Sequence, residues 1–244
     1  MRIAVISDIH ANLEALESAL CDMARQEVGP IISLGDNVGY GADGEAVIQR
    51  LISEKIISVL GNHDWACVNE KVYKWYKTEI KTSLDITMAN LSDSSLAYIR
   101  SCPLNLNRYG AWFVHGFPPE SVRHYLHQVS PSDLEKGFAR LAVPTCFVGH
   151  THRIGLICRR GKDMRFPKPE KGITVLEENA KHIVNVGSIG QPRDGDATAK
   201  YVIWEPDAGT IEVRTVDYDN HTAARKIVAA GMPIRFARAV DPVI

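Results

Sequence analysis

The sequence predicts an α/β fold in which two β-sheets pack face to face with helices outside, a four-layer α/β/β/α sandwich. Three observations carry this expectation. Continuous apolar, β-branched runs bounded by Gly and polar residues recur at Ile3–Ile6, Ile31–Leu34, Ile56–Leu60, Ala111–Val114 and Thr145–Val148, the pattern of buried strands. Segments with helical spacing separate the first three runs. The last third of the chain holds further strand-like runs of alternating character.

The elements follow in order. After Ile3–Ile6, Leu13, Leu16, Leu20 and Met23 recur at helical spacing, with Asn12 as N-cap and Gly29-Pro30 ending the segment. After Ile31–Leu34, Val47, Ile48, Leu51 and Ile52 mark a second helix leading into Ile56–Leu60. Strand-helix-strand units of this kind make right-handed parallel crossovers, so the first third reads as a parallel sheet. From Trp65 to Ser101 the pattern turns helical, with an aromatic stretch Tyr73–Tyr76 and an apolar stripe Ile86, Ala89, Leu91, Leu96 and Ile99. This is a helical insert, at about residues 65–101, placed over the site. Large aromatics at such spacing usually pack internally, and Trp65 and Tyr76 rank only as secondary candidates for substrate contact.

Further on, Ile173–Leu176, His182–Val186, Lys200–Trp204 and Ile211–Val216 read as a second, largely antiparallel sheet. Gly161–Lys171, with its prolines, reads as an exposed hairpin loop. Ala223, Ile227 and Val228 suggest a terminal helix that covers the core or mediates contact.

Length and composition set bounds. A chain of 244 residues with 45% hydrophobic content can bury a large core, and we read residues 1–244 as a single domain. A formal net charge of -1 weighs against nucleic acid as a partner while leaving a local basic patch open. Five dispersed cysteines without a Cys-x-x-Cys pair fit a reducing compartment. The first apolar run is too short for a secretory signal, and no run approaches the roughly 18 apolar residues of a membrane span. The expected location is the cytoplasm.

Chemistry concentrates in five short segments: Asp8-Ile9-His10, Gly35-Asp36, Gly61-Asn62-His63-Asp64, His115-Gly116 and Gly149-His150-Thr151-His152. Each follows a strand-like run, and in open α/β sheets ligands gather beyond the carboxyl ends of the strands. All five loops can therefore meet at one rim. Together they offer enough oxygen and imidazole donors for two cations. A pair of cations about 3.5–4 Å apart stabilises both attacking and leaving oxygens in displacement at phosphorus. The mixed donor set suits Mn, Fe, Zn or Ni better than Mg or Ca. Any one of these motifs alone is weak, but five of the nine histidines fall in the ordered series. The others, His124, His127, His182 and His221, have no partner spacing and read as structural or exposed.

The ordered series resembles that of the calcineurin-like metallophosphoesterase superfamily, especially its small bacterial and archaeal phosphodiesterases, from Met1 to roughly Val216. The resemblance implies two mixed sheets flanked by helices. It also implies that Asp8, His10 and His152 hold one metal, that Asn62, His115 and His150 hold the other, and that Asp36 bridges them. A water shared by the two cations would attack phosphorus in line. His63 would face the substrate and protonate the leaving alkoxide or stabilise its charge. Asn12 falls in the family's Asp-x-His-x-Asn pattern, and Arg193, in a Gly/Pro-rich loop similar to one near the family's metals, is a candidate partner for substrate phosphate.

One departure stands out. Many superfamily phosphatases read Gly-Asp-x-x-Asp, the second aspartate orienting the histidine that matches His63, whereas this chain has Gly39 there. That leaves Asp64, a backbone carbonyl or no partner at all to support His63. The expected function is metal-dependent hydrolysis of phosphodiesters in small molecules or nucleotides. The alternatives are a phosphomonoesterase or nuclease of the same superfamily, or a binding scaffold that keeps the fold without turnover.

Overall fold

The computed structural model describes Met1–Ile244. In chain order the strands are β1 (Ile3–Ile6), β2 (Ile31–Ser33), β3 (Ile57–Ser58), β4 (Asn105–Arg108), β5 (Ala111–Val114), β6 (Thr145–Val148), β7 (Ile154–Arg160), β8 (Asp163–Arg165), β9 (Gly172–Val175), β10 (Lys181–Val186), β11 (Ala199–Glu205) and β12 (Thr210–Val216). The helices are α1 (Leu13–Arg25), α2 (Gly44–Ser53), α3 (Asn62–Val68), α4 (Glu70–Tyr73), α5 (Thr78–Asn90), α6 (Asp93–Ser101), α7 (Pro131–Arg140), α8 (Asn220–Ala229) and α9 (Ile234–Val240).

Two mixed sheets form, ordered β12-β11-β1-β2-β3 and β4-β5-β6-β10-β7-β8. Their layering follows from side-chain alternation. In β1, Ala4 and Ile6 face α1 and α2, packing with Leu16, Leu20, Val47 and Ile48, while Ile3 and Val5 face the other sheet, against Phe113, Phe147 and Val184. A strand covered on both faces has no solvent side, and this is why its sequence is an unbroken apolar run. The second sheet turns Val114, Cys146, Val148 and Ile183 outward onto Leu134 and Phe138 of α7. The result is the expected helix, sheet, sheet, helix order.

The strands of the last third depart from expectation. They do not make a sheet of their own: β11 and β12 complete the first sheet, antiparallel to β1 and to each other, while β10 enters the second between β6 (parallel) and β7 (antiparallel). Strand β9 belongs to neither and lies beside β12, where Lys171, the residue just before it, forms one parallel bridge to Val213. Alternation fixes which faces are buried but not which neighbour a strand takes. The clue lay in β11, where Tyr201 and Ile203 pack toward the helices and Val202 and Trp204 toward the other sheet. Such a strand must be central.

Asn12 does cap α1, its Oδ1 accepting from the Ala15 N–H at 3.1 Å. The same helix is clamped to the first sheet from its other end. Arg214 donates to both oxygens of Asp22 at 3.0 and 2.9 Å, and the Tyr201 hydroxyl donates to Asp22 at 2.8 Å. Burial alone would raise the Asp22 carboxyl, but the bonds from Arg214 and Tyr201 outweigh it and hold the group below its ordinary range. The folded form thus keeps a lower pKa than the unfolded chain. The bridge's contribution is complete above the ordinary carboxylate value near 4 and is lost as pH falls through the folded value. Arg214→Ala, which strands a buried carboxylate, is expected to cost about 3 kcal/mol at neutral pH, read from urea unfolding, with a smaller difference from the parent in acid.

Candidate metal centre

Because β1, β2 and β3 run parallel in one sheet and β5 and β6 run parallel in the other, five strand ends open on one rim. Asp8, His10, Asp36, Asn62, His63, His115, His150 and His152 all lie there, each at most 6% exposed. Two groups of donors form. In the first, His152 Nε2 lies 3.2 Å from both Asp8 Oδ1 and His10 Nε2. In the second, His115 Nε2 lies 3.1 Å from Asn62 Oδ1, 3.1 Å from His150 Nδ1 and 3.2 Å from Asp36 Oδ2. The same Asp36 oxygen is 3.8 Å from His10 Nε2, so one carboxylate touches both groups. His63 lies with His10 and Asp36 in a third such cluster.

The rear contacts decide which ring nitrogens carry protons. His10 Nδ1 faces the Val38 carbonyl at 3.2 Å, His115 Nδ1 the Leu34 carbonyl at 2.9 Å, His152 Nδ1 the Gln191 carbonyl at 2.5 Å, and His150 Nε2 the Arg123 carbonyl at 3.2 Å. A carbonyl only accepts, so each of these nitrogens is the donor. The inward nitrogens of His10 and His152 then bring lone pairs to within 3.2 Å of each other, an arrangement that favours a cation between them, while His115 Nε2 faces the Asp36 carboxylate, where a cation would take the place of its proton. Asp8 Oδ1 is buried with no hydrogen-bond partner, although its other oxygen accepts from the His150 N–H and the Ser7 hydroxyl. The residues fit a metal on all these counts.

Charge agrees. Burial alone would raise the carboxyls of Asp8 and Asp36, yet neighbouring imidazoles, His152 for the first and His115 for the second, hold both well below the carboxylate range. Burial pushes His63 and His150 down to about 3. His115, despite its burial, is drawn up to about 9 by Asp36.

The loops hold this geometry with unusual backbone. Asp8, His10, Asp36, His150 and His152 have φ between 49° and 65°, left-handed values that cost non-Gly residues energy and cluster at functional sites. The Gly35-Asp36 and Gly61-Asn62 loops meet backbone to backbone, and a Cβ on Gly61 would lie 2.0 Å from the Asp36 nitrogen. Asp64 fastens them together. Its Oδ1 accepts from the Asn37 and Val38 N–H groups at 2.9 and 3.1 Å, and its Oδ2 from the Asn37 side chain at 3.0 Å and the Gly61 N–H at 3.3 Å.

Residues 1–209 match the family model of the calcineurin-like phosphoesterase superfamily domain. The chain belongs to the calcineurin-like phosphoesterase superfamily. It is 32% identical to a metallophosphoesterase of Sphaerobacter thermophilus of known structure, with a TM-score of 0.85 and 100% coverage of both chains. It is also 32% identical, over 237 residues, to an uncharacterized protein of Methanocaldococcus jannaschii, covering 95% of this chain and 93% of that one. A hypothetical protein of Pyrococcus horikoshii shares the fold at 17% identity, with a TM-score of 0.73 over 98% of this chain and 97% of that one. Calcineurin-like phosphoesterases use divalent metals, and the His/Asp clusters of this member can bind them.

Asn12 spends its amide on the Gly190 carbonyl and the Tyr218 hydroxyl, tying the cap of α1 to the loop that carries Arg193. Arg193 is exposed beside the centre, with its guanidinium 6.0 Å from the Tyr40 ring. Tyr76 reaches the site, its hydroxyl accepting from Asn62 Nδ2 at 2.6 Å, whereas Trp65 packs edge-on against Trp75. Tyr40 and Tyr125 were not anticipated. Tyr40 lies 4.4 Å, centroid to centroid, from both His10 and His63, and Tyr125 stacks on His150 at 3.9 Å. Tyr40 does follow the Gly-Asp motif by a few residues, but nothing near Tyr125 in sequence marks it. No helix is long and apolar enough to cross a membrane.

Proposed function

We propose that this protein is a dinuclear metal-dependent phosphoesterase that hydrolyses phosphodiester bonds of small molecules or nucleotides. The observation that carries the reading is the Asp36 carboxylate shared between two groups of inward-facing imidazoles, at 3.2 and 3.8 Å. Asp8, His10 and His152 would hold one ion, and Asn62, His115 and His150 the other, with Asp36 common to both. Manganese, iron, zinc or nickel suits these donors. Divalent ions in such a pair supply charge neutralisation at the phosphoryl oxygens and activation of water.

The chain's own groups do the rest. His63, neutral in the free site, presents an N–H to the leaving oxygen, and an arriving phosphate anion favours its protonated form. Arg193 pairs with a non-bridging oxygen from the exposed side. The whole of 1–244 acts as one metallophosphoesterase domain, with the helical insert at about residues 65–101 contributing Tyr76. The five free cysteines support a cytoplasmic setting.

The test is hydrolysis by chelator-stripped protein after restoring Mn2+, Ni2+, Zn2+ or Mg2+. Bis-p-nitrophenyl phosphate and 2′,3′-cyclic AMP serve as diesters, and p-nitrophenyl phosphate as the monoester. Diester cleavage restored by the transition ions is expected. His63→Ala should lower kcat on the cyclic nucleotide by about a hundredfold, because an alkoxide needs a proton to leave and p-nitrophenolate does not. A preference for the monoester would make the protein a phosphatase, and bound metal without turnover would favour a scaffold.

A further inference from the structure

His63 lacks the support that a leaving-group acid needs. Its Nδ1 is buried without any hydrogen-bond partner, and Asp64, the neighbouring carboxylate, is fully occupied by the Asn37, Val38 and Gly61 donors. The residue at position 39 cannot supply a carboxylate either. Gly39 sits at φ +83° with its backbone flush against the imidazole, and a Cβ there would lie 2.6 Å from Nδ1. Apart from the Asp36 carboxylate, within 4.8 Å of the ring but not bonded to Nδ1, what surrounds it is aromatic: Tyr40 at 4.4 Å, His10 at 5.0 Å and Tyr76 at 5.2 Å, each between centroids.

Tyr40 is itself backed from outside. Phe236 of α9 packs on its ring at 4.6 Å, in a cluster with Ala223, Ala224, Ile227, Met232 and Val240. Tyr40 has a left-handed backbone, φ 65°, fixed by its N–H donating to the Ser83 hydroxyl at 2.8 Å. Helices α8 and α9 lie wholly outside residues 1–209, the part that matches the superfamily model. A segment beyond the matched domain thus reaches the centre through two rings.

We propose that Tyr40 and Phe236 are positioning residues for His63, an aromatic stack that orients a ring whose Nδ1 has no hydrogen-bond partner and that makes the terminal helix pair part of the catalytic apparatus. The inference rests on the hydrolase reading given above. Packing can orient an imidazole as a hydrogen bond does, because offset and edge-to-face ring contacts restrict its rotation. Small misplacements of a reacting group cost large factors in rate, so the effect should be selective for substrates that need the proton.

The experiment compares Phe236→Ala, Tyr40→Ala and Tyr40→Phe with the parent, in metal-loaded full-length protein. Phe236→Ala, which touches neither His10 nor Arg193, is expected to lower kcat on 2′,3′-cyclic AMP about tenfold, with much smaller change on bis-p-nitrophenyl phosphate and unchanged metal content, and Tyr40→Ala, whose ring also packs on His10, to lower the cyclic nucleotide rate at least as far. Tyr40→Phe, which keeps the ring, should recover most of the loss. In metal-free protein the His63 ring resonances, assigned with His63→Ala, should shift in Phe236→Ala and stay put in Ile234→Ala, a control at a half-exposed position of the same helix. If Phe236→Ala fails to fold, Phe236→Leu fills the volume without a ring and carries the same expectation. Equal losses on both diesters, or His63 resonances that do not move, would overturn the proposal. Should the parent hydrolyse neither diester, the hydrolase reading fails, and the resonance shifts still decide whether the stack positions His63.

Discussion

Asp36→Asn is expected to weaken metal binding at both groups of donors and to cut diester hydrolysis by about a thousandfold or more. The substitution keeps the volume and one oxygen, so the fold has little reason to change. It removes the negative charge at the point where the two groups meet. Asp36 Oδ2 lies 3.2 Å from His115 Nε2 and 3.8 Å from His10 Nε2, while Oδ1 is committed to the His63 N–H at 2.8 Å. Asparagine would keep its oxygen toward that N–H and turn its NH2 toward the imidazoles, where a donor meets inward lone pairs and seals them against a cation. Metal ions contribute several kcal/mol of transition-state stabilisation, and about 4 kcal/mol corresponds to a thousandfold. Elemental analysis beside kcat on bis-p-nitrophenyl phosphate checks this. A variant that retains two equivalents of metal and a rate within tenfold of the parent would remove Asp36 from the bridging position.

How much of this donor cluster is legible in the sequence depends on the range of the interactions involved. Strands β1 and β6 were legible because a strand covered on both faces has to be apolar throughout, and the donor loops because each directly follows such a strand. The convergence of Asp8, Asp36, Asn62, His115, His150 and His152 is thus a consequence of parallel strand order. Interactions set by tertiary packing were not legible. The partners of β10, β11 and β12 depend on which apolar faces meet, and alternation is silent on that. Asp64 stood as one of several supports for His63, yet its oxygens go to the Asn37, Val38 and Gly61 N–H groups and the Asn37 amide. The ring contacts of Tyr40 with Phe236 and of Tyr125 with His150 join residues 196 and 25 positions apart, with no periodicity to announce them.

Asp64→Ala should be the most damaging single change near the centre, lowering stability by about 3–5 kcal/mol and carrying metal binding down with it. The carboxylate is 1% exposed and accepts four hydrogen bonds from donors that have been withdrawn from water. Each buried donor left without a partner costs about 1–3 kcal/mol, and their sum is reduced by relaxation of the loops. Those loops carry Asp36 and Asn62, which contribute to the same donor group, so loss of register between them disperses the donors rather than merely softening the fold. Asp64→Asn separates charge from geometry. An amide oxygen can still serve the Asn37 and Val38 N–H groups, but its NH2 then faces the Gly61 N–H and the Asn37 amide, donor against donor. It should therefore recover only part of the stability. Urea unfolding, metal content and hydrogen exchange at the Val38 and Gly61 amides read these effects separately. If Asp64→Ala stayed stable and metal-loaded and lost only the hydrolysis of alkyl diesters, Asp64 would be a support for His63 after all, and the aromatic stack from α9 would lose its purpose.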